Sequence, residues 1–131
     1  MKMVDTDVLI WNLRGNEAAA DLLDSLGPFQ VSVVTYMKLV QGARDRSELQ
    51  TLRRALRFWD AELVQISESI SARAAFLMEE HALGDGLQVA DALIAACALD
   101  SGTVLLTGNH RHYRSVTGLQ VEVFEAGALE A

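Results

Sequence analysis

Apolar and polar residues along this chain follow two periods, one typical of strands and the other typical of helices. Short apolar segments, several of them rich in β-branched residues, predict strands over residues 1–4, 29–34, 62–66, 104–106 and 119–124. Apolar residues three or four positions apart predict helices over residues 8–13, 18–26, 35–43, 67–81 and 87–99, and another that opens at Ser47. Strands that alternate with helices predict an α/β fold, a three-layer α/β/α sandwich with a mainly parallel sheet.

Length and composition predict one domain over residues 1–131. A chain of 131 residues, of which 50% are hydrophobic, buries roughly two-thirds of its unfolded surface when it folds. The longest apolar runs fall short of the roughly 18–20 residues that a bilayer requires, and Asp5 interrupts any signal peptide. We therefore expect a cytoplasmic protein without a membrane segment. The single cysteine, Cys97, lies in an alanine-rich segment and is expected to be a small buried hydrophobic residue.

The formal net charge of −7 argues against binding of nucleic acid by bulk charge alone, although a local basic patch remains compatible with it. The acidic residues raise the question of where carboxylates gather. In parallel sheets, functional sites form at the carboxyl ends of the strands. This rule selects residues 5–7 after the first predicted strand, 35–38 after the second and 107–109 after the fourth.

Two aspartates have positions that suggest chemistry. Asp5 directly follows a strand, where a carboxylate either caps the next helix or binds a metal ion. Asp91 is the one charged residue between positions 87 and 99, so we expect it to be partly buried and to need a partner. A salt bridge would suffice, but a cation shared with Asp5 explains both residues. Asp7 is interpreted as a charge that complements the dipole of a helix.

Carboxylate oxygens are the ligands that suit Mg²⁺ or Mn²⁺. A zinc site is less favoured, because His110 and His112 have no cysteine or acidic residue near them in the sequence. Together with Arg111 and Arg114, these histidines are interpreted as a surface that contacts phosphate. A solvated loop is the alternative.

Four segments in order give the chain a resemblance to PIN-domain proteins, in particular to VapC-type toxin ribonucleases. They are VDTDVLI at 4–10, SVVTYMKLVQG at 32–42, ADALIAA at 90–96 and LLTGNHRHY at 105–113. Each segment alone is a weak signal, whereas all four at this chain length are a specific one. The resemblance covers nearly the whole chain and agrees with the predicted α/β sandwich.

The resemblance implies an endoribonuclease that depends on Mg²⁺ or Mn²⁺, a cognate antitoxin as partner, and a homodimer. Asp5 and Asp91 would then be the metal ligands, with Thr6 as a hydroxyl neighbour of Asp5. Thr107 would orient its loop, and Asn109 lies where the family often has an acid or an amide near the metal. Basic residues that would contact RNA or the antitoxin are Arg53, Arg54, Arg57, His110, Arg111, His112 and Arg114.

One residue departs from the family pattern. The second segment normally carries a metal-binding glutamate where this chain has Lys38, and an ammonium group opposes the binding of a cation. Three explanations are compatible with the sequence: an attenuated toxin, a natural degenerate member that binds an antitoxin without cutting RNA, or a lysine that pairs with Asp5 and Asp91 in place of metal. Each explanation keeps the fold.

Two other enzyme classes share only part of the pattern. The segment 5–7 resembles the first motif of haloacid-dehalogenase-type phosphatases, but no acidic residue follows the fourth predicted strand. A phospho-acceptor receiver domain would need an aspartate after the third strand, where residues 65–67 supply none. The stronger alternative is a PIN-fold module without enzymatic activity that binds an antitoxin.

Overall fold

The computed structural model describes residues 1–126, which form five strands and six α-helices. The strands are β1 (Lys2–Val4), β2 (Gln30–Ser32), β3 (Glu62–Val64), β4 (Val104–Thr107) and β5 (Val121–Val123). The helices are α1 (Thr6–Leu13), α2 (Glu17–Ser25), α3 (Val33–Gly42), α4 (Arg46–Phe58), α5 (Glu68–Asp85) and α6 (Val89–Ser101). A short 3-10 helix, His110–His112, follows β4. No helix within residues 1–126 is both long enough and apolar enough to cross a membrane.

The strands form one sheet in the order β3, β2, β1, β4, β5, and every pair of neighbours is parallel. Successive residues of the central strands face opposite sides, since Met3 and Leu105 belong to one core while Val4 and Leu106 belong to the other. Helices α5 and α6 contribute to the first core, and α1, α2 and α4 contribute to the second. The predicted three-layer sandwich with a parallel sheet is confirmed.

Local hydrogen bonds correct two of the predicted boundaries. The second strand was expected to reach residue 34, but the Ser32 hydroxyl accepts a hydrogen bond from the backbone N–H of Val34 at 3.1 Å and caps α3, which starts at Val33. Helix α4 was expected to open at Ser47. Its cap is Asp45, whose carboxylate accepts a hydrogen bond from the N–H of Glu48 at 2.9 Å. In both cases a side-chain acceptor at the N-cap sets the start of the helix.

Helix α6 is buried on nearly all sides, as its apolar sequence predicts. Cys97 lies on this helix and is fully buried, and its thiol donates to the Ser32 hydroxyl oxygen at 3.4 Å. Burial raises the pKa of the Cys97 thiol, because a thiolate there would lose its hydration. The expectation of a buried, unreactive hydrophobic residue agrees with this environment.

Candidate functional site

The register of the two central strands positions the candidate site. Val4 of β1 pairs with Leu106 of β4, and the N–H of Asp5 donates to the Leu106 carbonyl at 2.9 Å. Asp5 and Thr107 therefore lie side by side at the carboxyl edge of the sheet. This is the edge at which α/β folds build their sites.

Asp5 is a buried carboxylate whose oxygens are engaged by the protein. The residue is 4% exposed, and its side chain caps α1 by accepting the N–H of Thr6 on Oδ1 at 2.7 Å. Its Oδ2 accepts the hydroxyl of Thr107 at 2.8 Å and the hydroxyl of Tyr113 at 2.9 Å. Three donors thus compensate one buried negative charge.

Asp91 reaches the same position from the first turn of α6. Its side chain is 13% exposed, and its Oδ1 lies 3.5 Å from the Tyr113 hydroxyl that also contacts Asp5. His112 Nδ1 lies 3.6 Å from the other carboxylate oxygen. The expectation that Asp91 is partly buried and has a partner is confirmed, and the structure supplies Tyr113 and His112 as neighbours.

Sequence reasoning did not single out Tyr113. It lies within the fourth family-like segment, where an aromatic residue is most simply interpreted as part of the core. Its ring is indeed in the first core, to which α5 and α6 contribute. Burial and the negative charges of Asp5 and Asp91 raise the pKa of the Tyr113 hydroxyl. The hydroxyl therefore keeps its proton and acts as a hydrogen-bond donor.

Asp7 also approaches this site, beyond the helix-dipole role expected for it. Its Oδ2 accepts the N–H of Gly108 at 2.8 Å, and its Oδ1 lies 3.4 Å from the Thr107 hydroxyl. Burial, together with the nearby charge of Asp5, raises the pKa of Asp7. The signal for this contact was available, because residues that follow neighbouring parallel strands share one edge.

Gly108 allows this contact because it has no side chain. A Cβ at this position would collide with the Asp7 carboxylate and would lie 3.3 Å from the Phe124 carbonyl oxygen. Any larger residue would have to displace the carboxylate or the backbone that follows β5.

The two other polar residues expected at the site contribute differently. Thr6 contacts Asp5 through its backbone N–H, while its hydroxyl donates to the hydroxyl oxygen of Thr35 at 3.0 Å. Asn109 donates its backbone N–H to the Thr107 hydroxyl oxygen at 3.0 Å, and its own side chain is exposed. Both residues thus help to fix the carboxylate network through their backbone.

Lys38 is the residue at which this chain departs from the family pattern. It is exposed on α3 and lines a groove of about 640 Å³ between α1, α3 and α4, together with Arg14 and Arg44. Within residues 1–126, Lys38 forms no ion pair with Asp5 or Asp91. The explanation in which Lys38 replaces a metal by pairing with both carboxylates is therefore not supported.

The donor set of this chain does not complete a metal site. In the described part of the chain, no three His, Cys, Asp or Glu side chains are grouped so that they could hold a metal ion. Both acceptor directions of Asp5 Oδ2 are taken by hydroxyl groups. With Asp5 and Asp91 as its protein ligands, a divalent cation would depend on water and on substrate phosphate for the rest of its coordination shell.

The basic residues expected to contact RNA or a partner are exposed on two different elements. Arg53, Arg54 and Arg57 lie on α4, where Arg53 Nε is 3.4 Å from the Tyr36 hydroxyl. The residues on or just after the 3-10 helix are His110, Arg111, His112 and Arg114. Only His112 of these approaches the carboxylates, through its contact with Asp91.

Comparisons with known proteins agree with this architecture. The sequence matches the PIN domain over residues 2–117. It is 36% identical over 119 residues to Ribonuclease VapC10 of Mycobacterium tuberculosis. This alignment covers 86% of each of the two chains. It is 32% identical over 126 residues to Ribonuclease VapC19 of the same species, covering 92% of this chain and 98% of that protein.

Solved structures give the same result. A chain in a toxin-antitoxin complex from Klebsiella pneumoniae superimposes with a TM-score of 0.79 at 27% identity, over 94% of this chain and 97% of that one. A chain of VapBC2 from Rickettsia felis, bound to a DNA fragment from its promoter, has a TM-score of 0.81 at 17% identity, over 95% and 98% of the two chains. The second similarity concerns the fold alone.

Proposed function

Since this chain belongs to the PIN-domain family, we propose that it is a VapC-type ribonuclease toxin of a toxin–antitoxin pair, attenuated by Lys38. The observation that carries the proposal is the meeting of Asp5 and Asp91 at one hydroxyl group. These two carboxylates come from distant parts of the chain and converge at the functional edge of the sheet. The names of the two curated relatives support ribonuclease activity against RNA.

Asp5 and Asp91 are the proposed ligands of Mg²⁺ or Mn²⁺, and Thr107 holds Asp5 in position. A divalent cation held by these residues would supply a Lewis acid for water and positive charge beside a phosphodiester. In the native chain the incomplete donor set does not fit a firmly held cation, so we assign it no step of a reaction. The Lys38 ammonium lowers cation affinity further through its positive charge.

A partner antitoxin belongs to the same proposal. The groove between α1, α3 and α4 has an apolar floor of Ile10, Leu39 and Leu52, and Lys38 lies on its rim. Grooves with apolar residues at their base accommodate the apolar face of a helix of a partner protein. The superimposed chain from Klebsiella pneumoniae belongs to a toxin-antitoxin complex, which supports this class of partner. A homodimer is the proposed assembly of the chain itself.

The groove also favours a second candidate function, a module that binds an antitoxin without cutting RNA. Lys38 is exposed on that groove and has no ion-pair partner within residues 1–126. A lysine there remains available to a partner even if it prevents metal binding. The two functions predict different results for Lys38→Glu. An attenuated ribonuclease gains RNA cleavage, whereas a binding module does not.

The test is RNA cleavage by the native chain and by Lys38→Glu, with Mg²⁺ or Mn²⁺ titrated to millimolar concentrations. We expect Lys38→Glu to cleave RNA roughly 10²-fold faster than the native chain, because a carboxylate replaces a repelling ammonium. It should also become toxic to the expressing host. The double variant Lys38→Glu/Asp91→Asn is the control, and it should lose the gained activity.

A Lys38→Glu protein that leaves a range of RNAs intact would contradict the ribonuclease proposal. If that protein still forms a tight complex with a small antitoxin, the binding module is the function that remains.

A further inference from the structure

The position of the Tyr113 hydroxyl is unusual for a residue whose ring belongs to the hydrophobic core. Tyr113 is 1% exposed and its ring packs with α6 residues, yet its hydroxyl oxygen reaches Asp5 at 2.9 Å and Asp91 at 3.5 Å. A neutral donor thus stands between two carboxylates from different elements. In proteins, paired carboxylates usually share a cation or a proton.

We propose that the Tyr113 hydroxyl is a positioning group that takes the place of a cation between Asp5 and Asp91 and competes with a divalent ion for Asp5. This inference rests on the proposed function, in which the same two aspartates are metal ligands. It assigns a role to a residue that ends the fourth family-like segment but was not among the expected site residues.

The competition concerns Oδ2 of Asp5, since Oδ1 serves as the cap of α1 by accepting the N–H of Thr6 at 2.7 Å. Oδ2 of Asp5 has two acceptor directions, and the hydroxyl groups of Thr107 and Tyr113 occupy both of them. A cation that binds this oxygen has to displace one of these donors. Thr107 is the harder one to move, because its hydroxyl oxygen also accepts the N–H of Asn109 at 3.0 Å.

Tyr113 is the donor that a cation would displace, but its ring resists movement. The Tyr113 hydroxyl has a single hydrogen to donate. It is donated to Asp5 at 2.9 Å, and the distance of 3.5 Å from the hydroxyl oxygen to Asp91 is marginal for a hydrogen bond. The hydroxyl therefore compensates only part of the paired negative charge. Because the ring is packed in the core, the hydroxyl oxygen moves only when the ring shifts, and this raises the cost of cation binding.

The test compares Lys38→Glu with Lys38→Glu/Tyr113→Phe, because the phenylalanine keeps the ring and removes only the hydroxyl group. In chelator, the double variant should unfold roughly 3–6 °C lower, since the buried Asp5 loses a donor. In calorimetric titrations with Mn²⁺ alone, it should bind the ion about tenfold more tightly than Lys38→Glu. Mn²⁺ should accordingly raise its midpoint of unfolding by more than that of the parent.

Tyr36→Phe in the same background is the matched control. It removes the hydroxyl of a half-buried tyrosine whose oxygen lies 3.4 Å from Arg53 Nε, a contact that involves no carboxylate. This variant should bind Mn²⁺ with the affinity of Lys38→Glu. As a second readout, Mn²⁺ added to Lys38→Glu should change the ultraviolet difference spectrum of tyrosine, and Tyr113→Phe should abolish that change.

The outcomes separate this inference from the proposed function. Unchanged or weaker Mn²⁺ binding in the double variant would overturn the competition, even if its stability in chelator falls, because a merely structural hydroxyl gives that result. Absence of Mn²⁺ binding in both proteins would overturn it as well. Tighter binding in a protein that leaves RNA uncut would support the role of Tyr113 and contradict the ribonuclease proposal.

Discussion

The Asp5 side chain caps helix α1 and also belongs to the candidate site. Its Oδ1 accepts the N–H of Thr6 as the cap of α1, and its Oδ2 accepts the hydroxyl groups of Thr107 and Tyr113. The cap and the candidate site are therefore not alternatives, although the sequence left them open as such. Capping fixes the carboxylate at the helix N-terminus, where the dipole also favours its negative charge.

Gly108 gives a residue-scale prediction. Gly108→Ala should lower the free energy of unfolding by about 1–3 kcal/mol, because its Cβ would collide with the Asp7 carboxylate and crowd the Phe124 carbonyl. Denaturant unfolding measures the change. Gly84→Ala is the control, since it lies in α5 with nothing within 4 Å of the added carbon, and it should stabilise the protein by up to about 1 kcal/mol. Equal effects of the two substitutions would contradict the tight contact at Gly108.

Cys97 gives a second residue-scale prediction, which concerns pH. Burial raises the pKa of its thiol, so above pH about 8.5 the folded chain keeps a proton that the unfolded chain has lost. The free energy of unfolding should therefore fall as pH rises through this range. Urea titrations between neutral pH and mildly alkaline pH should show a shallower fall for Cys97→Ala than for the native chain. Identical slopes would mean that the thiol titrates alike in both states.

At the scale of elements, side-chain caps explain why several boundaries escaped prediction. Apolar periodicity identified every strand and α-helix of residues 1–126, because the inner strands are buried and the helices pack apolar residues against the sheet. The boundaries depend on single hydrogen bonds, such as those of Ser32 and Asp45, which periodicity does not report. The last strand was likewise expected from residue 119, but Gly118 has a φ of +84° and a turn holds Leu119 outside it.

The cap of α4 can be tested by paired substitutions. Asp45→Ala should lower the free energy of unfolding by about 1 kcal/mol, because the N–H of Glu48 loses its acceptor. Ser47→Ala should have a much smaller effect, since the side chain of Ser47 does not cap the helix. Thermal or denaturant unfolding of the two variants distinguishes them. A larger loss for Ser47→Ala would restore the boundary expected from the sequence.

At the scale of the whole molecule, the parallel sheet turns separated segments into one site. Topology reasoning selected the residues after the first and fourth strands, and β1 and β4 are neighbours in the sheet. It could not predict that Tyr113 bridges Asp5 and Asp91, because a sequence does not show which side chains the hydroxyl of a core tyrosine contacts. It also did not predict that Lys38 lines a groove of the protein and, within residues 1–126, forms no ion pair with Asp5 or Asp91.

The net charge of −7 describes the chain less well than the distribution of its charges. The carboxylates of Asp5, Asp7 and Asp91 gather near one edge of the sheet, while arginines are exposed on α4 and near the 3-10 helix. A cluster of negative charge attracts cations, but it holds a divalent ion firmly only where enough ligands converge, and Lys38 stands where the family resemblance expects one of them.

Mn²⁺ binding measured by titration calorimetry on the native chain and on Lys38→Glu tests most directly whether Lys38 prevents metal binding. Arg73→Glu is the control, because it makes the same change in net charge at an exposed position of α5. We expect Lys38→Glu to bind one Mn²⁺ at least about tenfold more tightly than either of the other two proteins, a difference of about 1.4 kcal/mol. Equal affinity of the native chain and Lys38→Glu would contradict the assignment of position 38 as the missing ligand.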